Sequence, residues 1–308
     1  MAERLRESLR ARAEYQLMRA MFAALRCVPW RWASAFGRVI GPVIAALDPR
    51  HRSIARKNLE LAFGPELAAM GGADRVTRGV YAHLVATLVE TAHMCHTTRD
   101  TIRSLARYEG LERFEQLRAA GRPIVILTGH VGNFDLMALA HSAHGHCLSF
   151  LARPMDNPLV YEHLNRMRTQ FGNVVLDKKG SGKDAFRVLR SGGVLGILGD
   201  QNATREEGEF VEFFGMPACT HVSIAKLALK TGAAIVPAFI SRDGNGTHTI
   251  HVGEVIEPVS TGHPREDAIA TTQRVAAVTE AIIRRFPEQW LWGHRRWKTR
   301  PVGEAKIY

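Results

Sequence analysis

The feature that most limits the fold is an alternation beginning at Ile124. The run Ile124-Val-Ile-Leu-Thr128 lies between Pro123 and Gly129 and reads as a buried strand. A helix follows from Asn133, a residue type that suits the N-cap. Further strands are expected at 146–152, 174–176, 194–199 and 234–241, with an edge strand at 247–255. Helices are expected at 158–171, 184–190, 220–231 and 266–286. Such alternation predicts an α/β domain with a mostly parallel or mixed sheet flanked by helices. Sites in these sheets lie at the carboxyl ends of strands. His130, Arg153 and Asp200 each follow an expected strand, so all three should face one rim.

Ahead of this alternation the chain reads as helical. Residues 1–14 mix Arg and Glu with Leu and Ala, as a solvated helix does. From Tyr15 to Leu47, apolar residues recur at helical spacing, with Trp30 and Trp32 among them and Arg19, Arg26, Arg31 and Arg38 interleaved. No apolar run reaches the roughly 18 residues that a spanning helix needs. Apolar faces bearing Trp and flanked by Arg predict helices lying in a membrane interface. Asp48-Pro49 ends this region, and helices are expected at 74–95 and within 103–121.

The turn after the first strand carries the chemistry. Gly129-His130-Val-Gly132-Asn133-Phe-Asp135 places four residues between a histidine and a carboxylate. On a continuous helix five steps turn about 500°, which would point the two side chains about 140° apart. They converge only if His130 ends the strand and Asp135 sits in the first helical turn. A carboxylate against one imidazole nitrogen fixes the tautomer, and the other nitrogen then accepts a proton from a hydroxyl. The alternative is that Asn133 and Asp135 merely cap a helix and His130 is a loop residue.

Other motifs narrow the function. Lys178-Lys-Gly-Ser-Gly-Lys183 lacks the first glycine of a phosphate loop, and Asp184 stands where Ser or Thr belongs, which excludes nucleotide hydrolysis of that type. No G-x-S-x-G elbow is present, so a serine hydrolase is excluded. The four cysteines form no C-x-x-C pair and read as reduced thiols. His141, His144 and His146 lack carboxylates or cysteines at metal-ligand spacing. A net charge of +11 implies anionic partners: a membrane surface, a phosphorylated substrate or nucleic acid. Three phenylalanines in 210–220 read as a loop, either a hydrophobic plug or a wall for an acyl chain. Residues 287–301 interleave Trp with Arg and Lys, a mix that suits lipid headgroups or stacked single-stranded nucleic acid.

The His130–Asp135 block, Arg153-Pro-Met-Asp-Asn-Pro158, the Asp200-Gln201 turn, 210–220 and 287–301 occur in one order. Together they resemble the bacterial lipid A biosynthesis acyltransferases, the late lauroyl/myristoyl transferase family, over most of the chain. That family often carries Glu where this chain has Asp135. The resemblance implies a glycerolipid acyltransferase-like α/β domain over 51–308, behind membrane-associating helices in 1–50. It implies His130 and Asp135 as the catalytic pair, with backbone amides at Gly132 and Asn133 for the oxyanion. Arg153, Arg166, Arg168 and Lys178 would hold acceptor phosphates, and Asp200 and Gln201 would contribute to substrate binding. The donor would be an acyl thioester on acyl carrier protein or CoA, with no metal or other cofactor. The acceptor would be an anionic glycolipid at the cytoplasmic face of the inner membrane, with no nucleic acid partner. Related branches acylate lyso-ornithine or mannosylated inositol lipids. A basic nucleic-acid-binding protein is the rival from another class, and it leaves the His-x4-Asp turn without a purpose.

Overall fold

The structure is a computed structural model describing residues 2–152, 154–177 and 181–308. The chain begins with four helices: α1 (Ala2–Leu25), α2 (Ala33–Leu47), α3 (Pro49–Phe63) and α4 (Ala73–Met94). Then come α5 (Arg99–Leu105), β1 (Ala106–Glu109), α6 (Leu111–Ala119), β2 (Ile124–Thr128), α7 (Phe134–Ala143), β3 (Ser149–Ala152) and α8 (Pro158–Thr169). They are followed by β4 (Val174–Asp177), α9 (Ser181–Arg190), β5 (Val194–Leu198), β6 (Gly208–Phe213) and β7 (Met216–His221). The chain closes with α10 (Ser223–Thr231), β8 (Ala234–Arg242), β9 (His248–Val252) and α11 (Pro264–Arg285).

Seven strands form one sheet in the order β1-β9-β8-β2-β5-β3-β4. All neighbours are parallel except β8 and β9, which form an antiparallel pair. Every residue of β2 is buried, as its unbroken apolar run requires of a central strand covered on both faces. Three expectations change. The strand expected at the edge, β9, lies inside the sheet, because the four residues of β1, expected as helix, add outside it. Residues 210–220 are not a loop but fall largely in the β6–β7 hairpin, which is separate from the main sheet. The helix expected from Thr220 starts at Ser223, because Thr220 and His221 belong to β7.

The hairpin phenylalanines choose the plug. Phe213 and Phe214 are buried against Phe63 of α3 and against Trp290, Trp292 and Trp297. The basic-aromatic tail is therefore core. Those three tryptophans are at most 2% exposed, and buried Arg296 donates to the Cys219 carbonyl and the Thr220 hydroxyl. Burial pushes Arg296 down to about 10, and its cation lies over the Phe213 ring. A stacking platform for nucleic acid needs exposed rings, so the rival reading loses the feature that motivated it.

α2 packs along α4 through glycines. A Cβ at Gly37 or Gly41 would come within 2.2 Å or 2.5 Å of the Ala82 backbone. The opposite face of α2 leaves Val39 and Val43 exposed, Ile44 and Leu47 are exposed on its flank, and Trp32 just ahead of the helix is exposed as well. Trp30 instead turns inward, and its indole N–H donates to the Gly246 carbonyl. Among the described residues no helix is long and apolar enough to cross a membrane.

Candidate functional site

The parallel pairing of β2 with β5 builds the centre of the site. Thr128 is level with Leu198, so the residues two steps beyond each strand, His130 and Asp200, emerge side by side at the carboxyl rim. Gly129 permits this closeness, since a Cβ there would come within 3.0 Å of the Asp200 carboxyl carbon. The Asp200 carboxylate accepts from the His130 backbone N–H at 2.8 Å and faces His130 Nδ1 at 2.9 Å. The Trp290 indole donates to its other side at 2.7 Å. The aspartate is 2% exposed. Burial alone would raise its pKa, but His130 and these hydrogen bonds outweigh that and hold it well below the usual carboxylate range. An ionised Asp200 accepts only, so Nδ1 of His130 carries the proton and Nε2 presents a lone pair. Gln201 Nε2 lies 3.3 Å from that lone pair.

This corrects the expected contact. The carboxylate against His130 Nδ1 is Asp200, not Asp135. Asp135 sits in the first turn of α7 as expected, but Arg168 of α8 takes both of its oxygens, at 2.8 and 3.1 Å. The contact follows from strand pairing across 70 residues, which short-range spacing does not reveal. Asp135 still acts on the ring through its field. Burial lowers the affinity of His130 for a proton, yet Asp200 and, behind it, Asp135 raise its pKa above the ordinary 6.5.

The turn that carries His130 is held from behind by the segment around Gln289 and Leu291. Leu291 N–H donates to the His130 carbonyl at 3.1 Å, and Gly132 N–H donates to the Gln289 carbonyl at 2.8 Å. Gly132 adopts φ +62°, and a Cβ there would lie 2.0 Å from the Ile240 carbonyl oxygen. Its amide is thus committed to Gln289, which corrects its expected use for an oxyanion. The Asn133 side chain braces the same turn: its carbonyl caps α7 at Leu136 N–H, and its amide donates to Glu90. Glu90, 1% exposed, also accepts two bonds from Arg242, at 2.7 and 2.8 Å. Burial would raise the pKa of Glu90, but Arg242 outweighs it and the group stays ionised. Neither Glu90 nor Arg242 stood out in the sequence. A glutamate in a run of apolar helical residues is the only signal, and it does not name its partner.

The remaining expected residues divide. Arg168 joins the site through Asp135, whereas Arg166 is exposed and lies near Glu162 at 3.8 Å. Arg153 and Lys178 lie outside the described residues. His141 and His146 pack on Phe114, and the Tyr108 hydroxyl meets His141 Nδ1 at 2.8 Å. Among the described residues no three His, Cys, Asp or Glu side chains are grouped to hold a metal.

A cavity of about 240 Å³ opens beside His130 and Asp135. Phe134, Met137, Leu148, Phe150, Met155 and Leu198 form much of its wall, so it suits an apolar chain. Fold and site define an α/β protein with a histidine, backed by a buried carboxylate, at the carboxyl rim of a mostly parallel sheet and beside an apolar cavity. The family described as bacterial lipid A biosynthesis acyltransferase matches residues 4–299, and the chain belongs to that family of O-acyltransferases. It is 28% identical to the lipid A biosynthesis palmitoleoyltransferase of Escherichia coli K12, over 91% of this chain and 92% of that protein. It is 27% identical to the lauroyltransferase of the same organism, over 91% and 90%. It is 24% identical to the myristoyltransferase, over 94% and 88%.

Proposed function

We propose that this chain moves a fatty acyl group from an acyl thioester, on acyl carrier protein or CoA, to a hydroxyl of a lipid A precursor or a similar anionic glycolipid. The observation that carries the reading is a single-tautomer histidine base beside an apolar cavity, in a chain that belongs to a lipid A acyltransferase family. The acyl chain lies in the cavity walled by Phe134 and Phe150. The acceptor hydroxyl gives its proton to His130 Nε2 as its oxygen attacks the thioester carbonyl. Collapse of the tetrahedral adduct breaks the C–S bond, and the imidazolium returns the proton to the departing thiolate. Asp200 holds the ring and stabilises its charge throughout, and Asp135 adds to that field from the Arg168 pair. The protein forms no acyl intermediate.

The enzyme works at a membrane surface, the cytoplasmic face of the inner membrane. Trp32, Val39, Val43 and Leu47 enter the interface, and neighbouring arginines meet anionic headgroups. The functional test uses purified protein with an acyl thioester and a lipid A precursor, with products resolved by mass spectrometry. An added acyl ester that disappears with His130→Ala supports the reading. Absence of that product from the wild type, or its persistence in the variant, defeats it.

A further inference from the structure

A second cavity, of about 360 Å³, meets the site at Gln201. It is formed by α3, α4 and the segment after Trp290, and Asp48, His51, Tyr81, Leu84, Gln201 and His294 are among its lining residues. No lysine or arginine lines it among the described residues. It therefore differs from both the apolar chamber and a phosphate site.

The polar groups of this wall have fixed hydrogen-bonding directions. The Asn202 backbone N–H points at His294 Nε2 at 2.9 Å. A backbone amide only donates, so Nε2 accepts and the proton sits on Nδ1. No group among the described residues accepts that Nδ1 proton. Burial, the largest influence, pushes His294 down to about 4, so the ring is neutral and keeps this tautomer near neutral pH. Tyr81 donates its hydroxyl proton to Asp48 at 3.0 Å and keeps lone pairs for an incoming donor. His51 engages Asp48 through Nδ1, leaving Nε2. The cavity thus offers an unpartnered N–H, an amide and a tyrosine hydroxyl together, with the Asp48 carboxylate on the same wall. Hydroxyl groups, which both donate and accept, match such a wall, whereas a phosphate would face the Asp48 carboxylate with no lysine or arginine in the described lining to bind it.

Resting on the acyl-transfer reading, we infer that this cavity is the acceptor subsite, and that it takes a neutral, hydroxyl-rich sugar portion of the glycolipid. Gln201 is the threshold between the two chambers. Its amide, 3.3 Å from His130 Nε2, occupies the place that the reacting hydroxyl must take. The arriving hydroxyl replaces it as the donor to Nε2. His294 Nδ1–H positions a neighbouring sugar oxygen and does not touch the reacting atoms.

Two variants with two-substrate kinetics test the assignment. Leu84 is 37% exposed, so Leu84→Trp narrows the cavity without disturbing the core. His294→Ala removes the single-tautomer donor. Each should raise the acceptor KM tenfold or more while the thioester KM stays within twofold, and melting curves report the fold separately. An unchanged acceptor KM in Leu84→Trp, with wild-type transfer intact, overturns the assignment alone. A rise confined to the thioester KM also overturns it, because the cavity then holds the donor's arm. Failure of wild-type transfer is a different result and would sink the function on which the assignment rests.

Discussion

Replacing Asp200 by asparagine separates the two carboxylates of the site. The aspartate accepts from His130 N–H, faces His130 Nδ1 and accepts from the Trp290 indole, all within 2.9 Å. An amide of the same shape has one oxygen for these donors. If that oxygen keeps the His130 and Trp290 N–H groups, both on Oδ2, the NH2 group falls opposite Nδ1. Nδ1 must then accept, and the ring proton moves to Nε2. A protonated Nε2 cannot take a proton from the acceptor. The expected loss in kcat is on the order of 10^4, the size found when a hydrolase triad loses its orienting charge the same way. The loss in stability should be smaller, about 1–3 kcal/mol, since the group is buried but its hydrogen bonds survive in weaker form. Asp135→Asn leaves the tautomer intact and removes the carboxylate's field and its charged pair with Arg168, so it should cost about tenfold, roughly 1.4 kcal/mol of barrier. Steady-state transfer assays on both variants, with urea melts as a fold control, decide the matter. A loss under tenfold for Asp200→Asn, or a greater loss for Asp135→Asn, refutes the reasoning.

The remaining predictions concern pH, stability and the membrane. The base must be neutral to act and its pKa is raised, so kcat/KM should climb with pH through a midpoint above 6.5. Asp135→Asn removes a carboxylate that favours the imidazolium and should move that midpoint down; an upward move contradicts the assignment. Glu90→Gln leaves buried Arg242 without its charge partner and should cost about 3–5 kcal/mol in denaturant unfolding, where a change below 1 kcal/mol would deny the network its role. Each apolar side chain taken out of water contributes about 1.5–3 kcal/mol. The double variant Val43→Asp, Leu47→Asp should therefore lower partitioning onto anionic vesicles at least tenfold in flotation. Unchanged flotation would place the membrane contact elsewhere.

The fold was legible where the pattern was local. The unbroken apolar run of β2 and the Asn133 cap of α7 are stated by adjacent residues, and both occur as expected. β1 was hidden because Ala-Arg-Tyr-Glu has no apolar run, and although Gly110 parts it from α6, no turn residue parts it from α5. The tail misled for a physical reason. Trp and Arg suit an interface because each joins an apolar body to a polar tip, and the same property lets them be buried when the tip finds a partner. Here Trp290 finds Asp200, Trp292 finds the Pro287 carbonyl, and Arg296 finds Cys219 and Thr220. His130 was legible as a candidate from its turn. Its partner was not, because the register of β2 against β5 is a tertiary fact. The nearer carboxylate, five residues on, was the more visible one and belongs to Arg168.

The most direct measurement is the mass of the intact protein after incubation with a labelled acyl thioester alone, followed by addition of the glycolipid acceptor. Direct transfer by the His130–Asp200 pair predicts unmodified protein in the first stage and label in the lipid in the second, with sequential kinetics. A stoichiometric acyl adduct on the protein, formed with donor alone and chased by acceptor, contradicts it.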